Sequence, residues 1–526
     1  MKKIIFIILA FSTINLLGQD LPKDYSLGET KLKKVSESTP NSNTVERIEI
    51  HENTIWFGTS KGLSKTTDNG SSFTNYYNDT IFGTEGLSAI GHSNNAIWAA
   101  KWHYEEIAGS DVATGGGLCY STDEGNTWTK IAQPVDDSGD SSIVYGINNI
   151  RALPVTVAQQ NFTYQMAFTT NTIWIASFAG GLRKSTDMGV TWQRVVLPPD
   201  TLDSIKPTDS LSFSLQPQAG NFGKEAYLNH RVFSVVAVDD DTLYVGTAGG
   251  INKSTDGGIS WIKFNHTNQD EPISGNFILR LAYNYADHSL WAATWKAEGQ
   301  TEYYAVSVTY NGGKTWDIYL PDEKTNDFAF NYYGQSPSYS YSDVIAATDN
   351  GLYRSNNSGT TWLSAPTIID SKSYFGLSTN EFASVESQKL DEDSFNIWIG
   401  TDSEGLVKYS DNSGTWNDSW TVFFKSGSTQ ITQSETYAFP NPFSPDNEVT
   451  KIKYKVDGYS NVTIRIFDFG INLVRTLIEN TSRTGEQITT WDGKDEAGKI
   501  VPNDVYFYRI DIGSSEPLFG KIMVLM

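Results

Sequence analysis

An all-β chain is predicted: a seven-bladed β-propeller followed by a small C-terminal β-sandwich. Three observations predict it. One unit recurs seven times between residues 44 and 424: an apolar strand, a Gly-Leu step and a Ser/Thr-x-Asp/Asn-x-Gly-x-Thr/Ser-Trp turn. Its period, roughly 45 to 70 residues, is that of a four-stranded blade. The repeat then stops, and the last 90 residues carry short alternating strands of a different pattern. Composition agrees, since 13% aromatic residues and 44 glycines suit short strands joined by tight turns.

The chain opens Met1-Lys2-Lys3, then runs apolar from Ile4 to Leu17, then reads Gly18-Gln19-Asp20. A basic start, a short apolar core and a small residue before a polar stretch describe a secretory signal peptide over 1–18, with a linker over 19–43. At 14 residues, with Ser12, Thr13 and Asn15 inside, the run is short for a membrane span. No other segment is long and apolar enough to cross a bilayer, so no transmembrane span is expected in the mature chain. Cys119 is the only cysteine, which excludes an intramolecular disulfide and a thiolate metal cluster. The formal net charge of −22 repels phosphate backbones and argues against a nucleic-acid partner.

The first repeat has Ile55-Trp56-Phe57-Gly58-Thr59, Gly62-Leu63 and a turn from Thr66 to Phe73. The second has Ile97-Trp98-Ala99-Ala100, Gly117-Leu118 and Ser121 to Trp128. The third has Ile173-Trp174-Ile175-Ala176, Gly181-Leu182 and Ser185 to Trp192. The fourth has Leu243-Tyr244-Val245-Gly246, Gly250-Ile251 and Ser254 to Trp261. The fifth has Leu290-Trp291-Ala292-Ala293 and Thr309 to Trp316. The sixth has Val344-Ile345-Ala346-Ala347, Gly351-Leu352 and Ser355 to Trp362. The seventh has Ile397-Trp398-Ile399-Gly400, Gly405-Leu406 and Ser410 to Trp416, one residue short. Gly or Ala after the Ile-Trp pair fits a crowded region near the axis. In the turns, Asp68, Asp123, Asp187, Asp256, Asn311, Asn357 and Asn412 accept turn amides, and the Gly supplies a positive φ. Spaced around a ring, these residues cannot form a catalytic pair, so their role is structural.

These turns resemble the Asp-box (bacterial neuraminidase, BNR) repeat of sialidases, sortilin-type receptors and several glycoside hydrolases. The Ile-Trp-x-Gly-Thr strand with its Gly-Leu partner resembles the sensor propellers of hybrid two-component regulators. The resemblance implies a fold; propellers of this kind host catalysis, receptor binding and assembly alike.

A polar linker spans 425–436, and a new unit begins with Tyr437-Ala438-Phe439-Pro440-Asn441-Pro442-Phe443. With Phe467-Asp468, Trp491-Asp492-Gly493 and Val505-Tyr506-Phe507-Tyr508-Arg509, residues 437–526 resemble two related families. One is the Ig-like domain of the flagellar hook-capping protein; the other is the C-terminal sorting domain of type IX secretion cargo. The resemblance implies a small Ig-like β-sandwich that the type IX secretion machinery recognises, and a secreted or cell-surface protein delivered through the periplasm. As a separate address, the domain is expected to be removable with little effect on the propeller's thermal unfolding.

In a four-stranded blade, the turns after the second strand and the blade-to-blade connections share one face. Directly after the Ile-Trp strand, three blades place an aromatic there: Trp102, Phe178 and Trp295. Aromatic faces stack on sugar rings or hold a peptide. Blade connections are expected to bring Arg151, His230 and Arg231 to the same face, and Arg280 lies in an inner strand. The long connection from Gln193 to His230 is a candidate cap over the channel. Catalytic residues are not identified: the Phe-Arg-Ile-Pro motif of sialidases is absent, and no spacing picks out a carboxylate pair. No zinc spacing or phosphate loop occurs, and the acidic runs Asp239–Asp241 and Asp391–Asp393 read as solvated hairpin turns, so no metal or cofactor is expected. The leading function is therefore an exported binding protein for a glycan, peptide or envelope component. The alternatives are a divergent glycoside hydrolase and a factor assembling the secretion machinery.

Overall fold

Seven antiparallel sheets follow one another along the chain, each with its strands ordered in sequence from the axis outward. The computed structural model describes residues 37–93, 95–217, 227–297, 299–372, 375–425, 434–445 and 449–526. The expected signal peptide, residues 19–36 of the first linker and 426–433 of the second lie outside the described residues. The inner strands are Val45–His51, Gly86–Ser93, Thr163–Phe168, Val232–Ala237, Phe277–Asn284, Thr325–Gln335 and Phe382–Lys389. Each packs on the next, and the last packs on the first, so the ring closes as a seven-bladed β-propeller.

The second strand of each blade is apolar without alternation because both of its faces are covered by neighbouring sheets. In Thr54–Thr59 every residue after the first is buried, as is every residue of Ile173–Ser177 and Phe395–Thr401. The small residue in this strand has a measurable cause. A Cβ on Gly246 would lie 2.6 Å from Ile278 Cγ2 of the next blade's inner strand, and one on Gly400 would lie 2.1 Å from the Val45 carbonyl. Neighbouring inner strands cross here, and only Gly or Ala leaves room.

Six of the seven turns share one hydrogen-bond pattern. In the second, Ser121 Oγ donates to Asp123 Oδ1 at 2.8 Å and accepts the Gly125 N–H at 2.8 Å. Thr127 donates its amide to Oδ1 at 2.8 Å and its hydroxyl to Oδ2 at 2.7 Å. Those donors hold the Asp123 carboxyl down to about 2. The seventh turn departs from the expected pattern. Asn412 is exposed and does not act as the acceptor; Asp418 takes the Asn412 amide at 3.0 Å and the Ser413 hydroxyl at 2.6 Å. The missing residue moves Asp411 into the hydroxyl position. There its carboxylate meets Arg354, which is sandwiched between Asp411 and Asp343 with all three side chains buried.

The long connection does not cap the channel in its described part. Ser204–Ile205 adds a fifth strand to the outer edge of blade four, and Ser214–Leu215 pairs in parallel with Asn148–Ala152. Ile150, Leu197, Ile205 and Leu215 bury themselves with Trp174 and Trp261 on the outer flank of blades three and four. Residues 218–226 of it lie outside the described residues.

Among the described residues no strand is exchanged at the ring joint. Blade one uses only residues 45–76 and blade seven only 382–423. The joint is held by Ser384 Oγ donating to the Val45 carbonyl at 3.1 Å and by a reciprocal pair between Asn43 and Lys425.

The C-terminal domain is one antiparallel sheet of Tyr437–Phe439, Thr450–Phe467, Leu473–Trp491, Asp504–Ile512 and Leu518–Val524. The register between the two longest strands slips between Val456 and Ser460, where they bend. Ile452, Tyr454 and Val456 before the bend and Val462, Ile464 and Ile466 after it then face one core with Trp491 and Tyr508.

This domain is docked on the propeller. Lys451 is buried and places its ammonium 3.0 Å from Glu404, a buried residue of the turn after blade seven's second strand. Lys451 also lies over the Phe424 ring at 4.7 Å, and Phe424 stacks on Phe439 at 6.3 Å. Ile488 completes the apolar contact with blade seven. The two parts share a desolvated charge pair and a ring stack, contacts that favour coupled over independent unfolding.

Candidate functional site

The rings begin with Trp102, set by the end of blade two's second strand, where Tyr104 meets it edge-on at 5.0 Å. Trp102 stacks on Phe162 at 5.8 Å, and Phe162 contacts Tyr164 at 4.3 Å. Tyr164 meets Phe233 at 5.0 Å, and Phe233 touches both Phe178 at 6.1 Å and Phe277 at 4.4 Å. Phe277 reaches Trp295 at 6.2 Å, and Trp295 meets Tyr304 at 5.8 Å. An unbroken arc of nine rings thus runs across blades two to five. Most are half-buried, and their pairs are edge-on, tilted or offset-stacked, the arrangements that aromatic quadrupoles prefer. Trp102, Phe178 and Trp295 all belong to it. Phe162, Tyr164, Phe233 and Phe277, from the starts of inner strands, join them together.

The remaining sector of the ring is polar. A cavity of about 270 Å³ at the channel mouth is lined by Glu46, Arg47, Arg280, Asn326, Asp349, Glu381 and Asp402, among others. The arc meets this wall at both ends. Trp102 adjoins Glu46. At the other end Trp295 donates its indole N–H to the Thr325 carbonyl at 3.0 Å, and Lys324 bridges from the Trp295 ring, at 5.5 Å, to Asp349, at 3.7 Å. Burial pushes the Glu46 carboxyl up to about 7 despite the pull of Arg47, and the Asp402 charge adds to the rise.

Below the mouth the channel narrows to a second cavity of about 140 Å³ bounded by Arg47, Glu49, His92, Tyr164, Arg280 and Glu386. Arg280 donates to Asp327 at 2.7 Å, so its charge is spoken for within the wall. Burial raises Glu49 to about 8, with the Glu386 charge adding to it, and burial raises Glu386 to about 7. At the channel's far end His51 and His92 stack with ring centroids 3.3 Å apart, and burial lowers His92 to about 4.

The other sequence candidates are dispersed. Arg151 lies on the outer three-stranded sheet, bonded through Nε to Ser214 Oγ at 3.1 Å, because its segment packs on the blade flank and not over the mouth. His230 is buried, bonded through Nε2 to the Ala179 carbonyl at 3.0 Å, and burial lowers it to about 4, which leaves a neutral packing residue. Arg231 donates to the Pro217 carbonyl at 2.7 Å and covers the Phe178 ring at 4.7 Å, backing the arc from behind. Arg280 is in the channel wall as described. Among the described residues, no group of three or more His, Cys, Asp or Glu is arranged to hold a metal ion. No described helix is long and apolar enough to cross a membrane.

No family model and no curated protein matches the chain. Among solved structures it is similar to PorZ, a bacterial surface component of the type-IX secretion system of Porphyromonas gingivalis, at 13% identity and a TM-score of 0.37. That match covers 90% of this chain and 64% of PorZ, so the chain spans just under two thirds of that protein's length. It is also similar to a GH74 enzyme of Niastella koreensis, at 15% identity and a TM-score of 0.46 over 92% of this chain and 73% of the other. YCF48 from Cyanidioschyzon merolae matches at 16% identity and a TM-score of 0.39 over 77% and 95%. At such identities these likenesses concern the propeller fold alone.

Proposed function

We propose that the chain is an exported, surface or secreted propeller that binds a glycan at the mouth of its channel. The reading is carried by the nine-ring arc that adjoins a wall of carboxylates and amides at both of its ends. Aromatic rings stack on the C–H faces of sugars, and acceptors such as Glu46, Asn326, Glu381 and Asp402 take their hydroxyls. The acidic wall selects neutral or basic sugars over uronates and sialosides. A glycan array probed with residues 19–526 tests this. Trp102→Ala and Trp295→Ala are expected to weaken the captured glycan by about 1–3 kcal/mol with the fold intact. An array that retains nothing, or variants that bind like the parent, overturns it.

The address signals are part of the same proposal. The first 18 residues direct export, and the C-terminal domain, which resembles type IX sorting domains, directs release from the periplasm. Removal of 437–526 is expected to trap the protein in the periplasm on cell fractionation; normal surface delivery refutes the sorting role.

One observation favours a second reading, glycoside hydrolysis. Burial raises Glu46 to about 7 beside the Asp402 charge, so it is protonated in part at neutral pH, the environment of an acid paired with a carboxylate base or nucleophile. If the captured glycan is cleaved, Glu46→Gln should abolish reducing-end release while retaining binding; persistent cleavage removes Glu46 from that role.

A further inference from the structure

The docked C-terminal domain creates a third cavity whose position extends the mouth. It has a volume of about 880 Å³ and lies between blades six and seven on one side and the C-terminal sheet on the other. The propeller contributes Asn350, Thr379, Asn380 and Ser403, and the C-terminal domain contributes Asp492 and Lys494. Asp349 and Glu381 line both this groove and the channel-mouth cavity, so the two spaces are contiguous.

The groove is a built feature, because the contact that forms it is buried and fully bonded. Glu404 accepts the Ser378 amide at 2.6 Å and hydroxyl at 2.5 Å, the Thr379 amide at 3.1 Å and Lys451 at 3.0 Å. One carboxylate therefore fixes both the loop that floors the groove and the domain that walls it. The polar part of the lining is hydroxyl, amide and carboxylate in character, and Pro440, Pro445 and Val449 add an apolar edge. Lys494 lies 3.9 Å from Asp492, and Lys451 is consumed by Glu404, so little positive charge remains for an anionic ligand.

We propose that the C-terminal domain is one wall of the ligand site, and that the site takes an extended, uncharged polysaccharide chain running from the aromatic arc through the mouth into the groove. The proposal rests on the glycan-binding reading above and adds ligand length, charge and a binding role for the C-terminal domain. Rings recognise sugar faces at one end; side-chain amides and hydroxyls recognise sugar hydroxyls at the other. Each further sugar seated in the groove adds contact without a new loss of translational freedom.

Calorimetric titration of the full chain with neutral β-linked oligosaccharides of three to eight units tests this. Affinity should rise at least tenfold from the trimer to the octamer. Asn380→Trp fills the groove from an exposed position away from the Glu404–Lys451 pair. It should abolish that rise while leaving trimer affinity unchanged, whereas Trp102→Ala should weaken both. A tenfold rise that survives Asn380→Trp, or affinity flat with length in the parent, overturns the groove while leaving the arc in place. Loss of binding to every oligosaccharide, or binding only to basic peptides, overturns the glycan reading and the groove with it, and binding only to uronate polymers overturns the uncharged ligand.

Discussion

Lys451→Met is the sharpest perturbation of the docked arrangement. It keeps an apolar side chain beside Phe424 and Phe375 and removes the ammonium, which faces Glu404 at 3.0 Å and lies over those two rings. Breaking a buried ion pair from one side costs about 3–5 kcal/mol when the other charge is stranded. Here the Glu404 carboxylate keeps two amides and one hydroxyl, charge-assisted bonds that soften the penalty, so a loss of about 2–3 kcal/mol is expected. Chemical unfolding of the full chain, followed by tryptophan fluorescence, measures it. A double-mutant cycle with Glu404→Gln should return a coupling of at least ~1.5 kcal/mol. The pH dependence has a definite sign. Burial would raise Glu404, but Lys451 and the Ser378 donors outweigh it and hold the carboxyl below its ordinary range. Its contribution is therefore present above pH ~4.3 and lost as pH falls through the lower folded value, so parent and Lys451→Met should converge toward pH 3. Additive single effects and parallel pH curves would refute the docking argument.

Other outcomes follow from the same geometry. Trp261→Ala should cost about 3–5 kcal/mol, whereas Trp261→Phe should cost about 1, since the ring is buried and its N–H has no partner among the described residues. Arg354→Met should lose about 3–5 kcal/mol by stranding Asp343 and Asp411, with a smaller loss when both are also made Asn. Glu49 and Glu386, raised to about 8 and 7 amid Arg280, Asp327 and His92, favour the folded state while protonated. Their contribution is complete below pH ~4.5 and is lost as pH rises through 7 to 8, so Glu49→Gln with Glu386→Gln should flatten the stability decline over that window in melts at fixed ionic strength.

Features set by local chemistry were legible in the sequence. The Ile-Trp runs, the Gly or Ala step and six of the turns depend on neighbours within one repeat, and the repeat reports them seven times. The seventh turn misled because losing one residue shifts the acceptor from Asn412 to Asp418, and spacing alone does not show which carboxylate takes over. The arc was half legible. Trp102, Phe178 and Trp295 share a strand-end position, but Phe162, Tyr164, Phe233 and Phe277 lie in or beside the inner strands of blades three to five, where an aromatic reads as ordinary core. Aligning the inner strands across repeats would have exposed them, since Glu46, Asn326 and Ala383 stand near the same strand starts in the polar sector. Arg151 and His230 misled because their positions depend on how the connections fold. The Glu404–Lys451 pair joins two unrelated sequence patterns, and neither pattern announces the other.

The joint between blades one and seven shapes how the ring is made. Because no described strand is exchanged there, every blade is a continuous stretch of chain and can form as soon as that stretch is available, in order of synthesis. The contacts that cannot form early are those across the joint, such as the bond between Ser384 and Val45, which are separated by 339 positions. Closing an unstructured loop of that length costs on the order of 5 kcal/mol, but the five intervening blades stacked into an arc carry the ends toward each other and remove most of that cost. The final event is then a docking of two preformed sheets, and an arc caught before it presents the bare flanks of Val45–His51 and Phe382–Lys389 to whatever chain is nearby. A second unfinished arc is the partner best shaped to fit them, so interlocked dimers formed at high expression are the misfolded product this architecture invites.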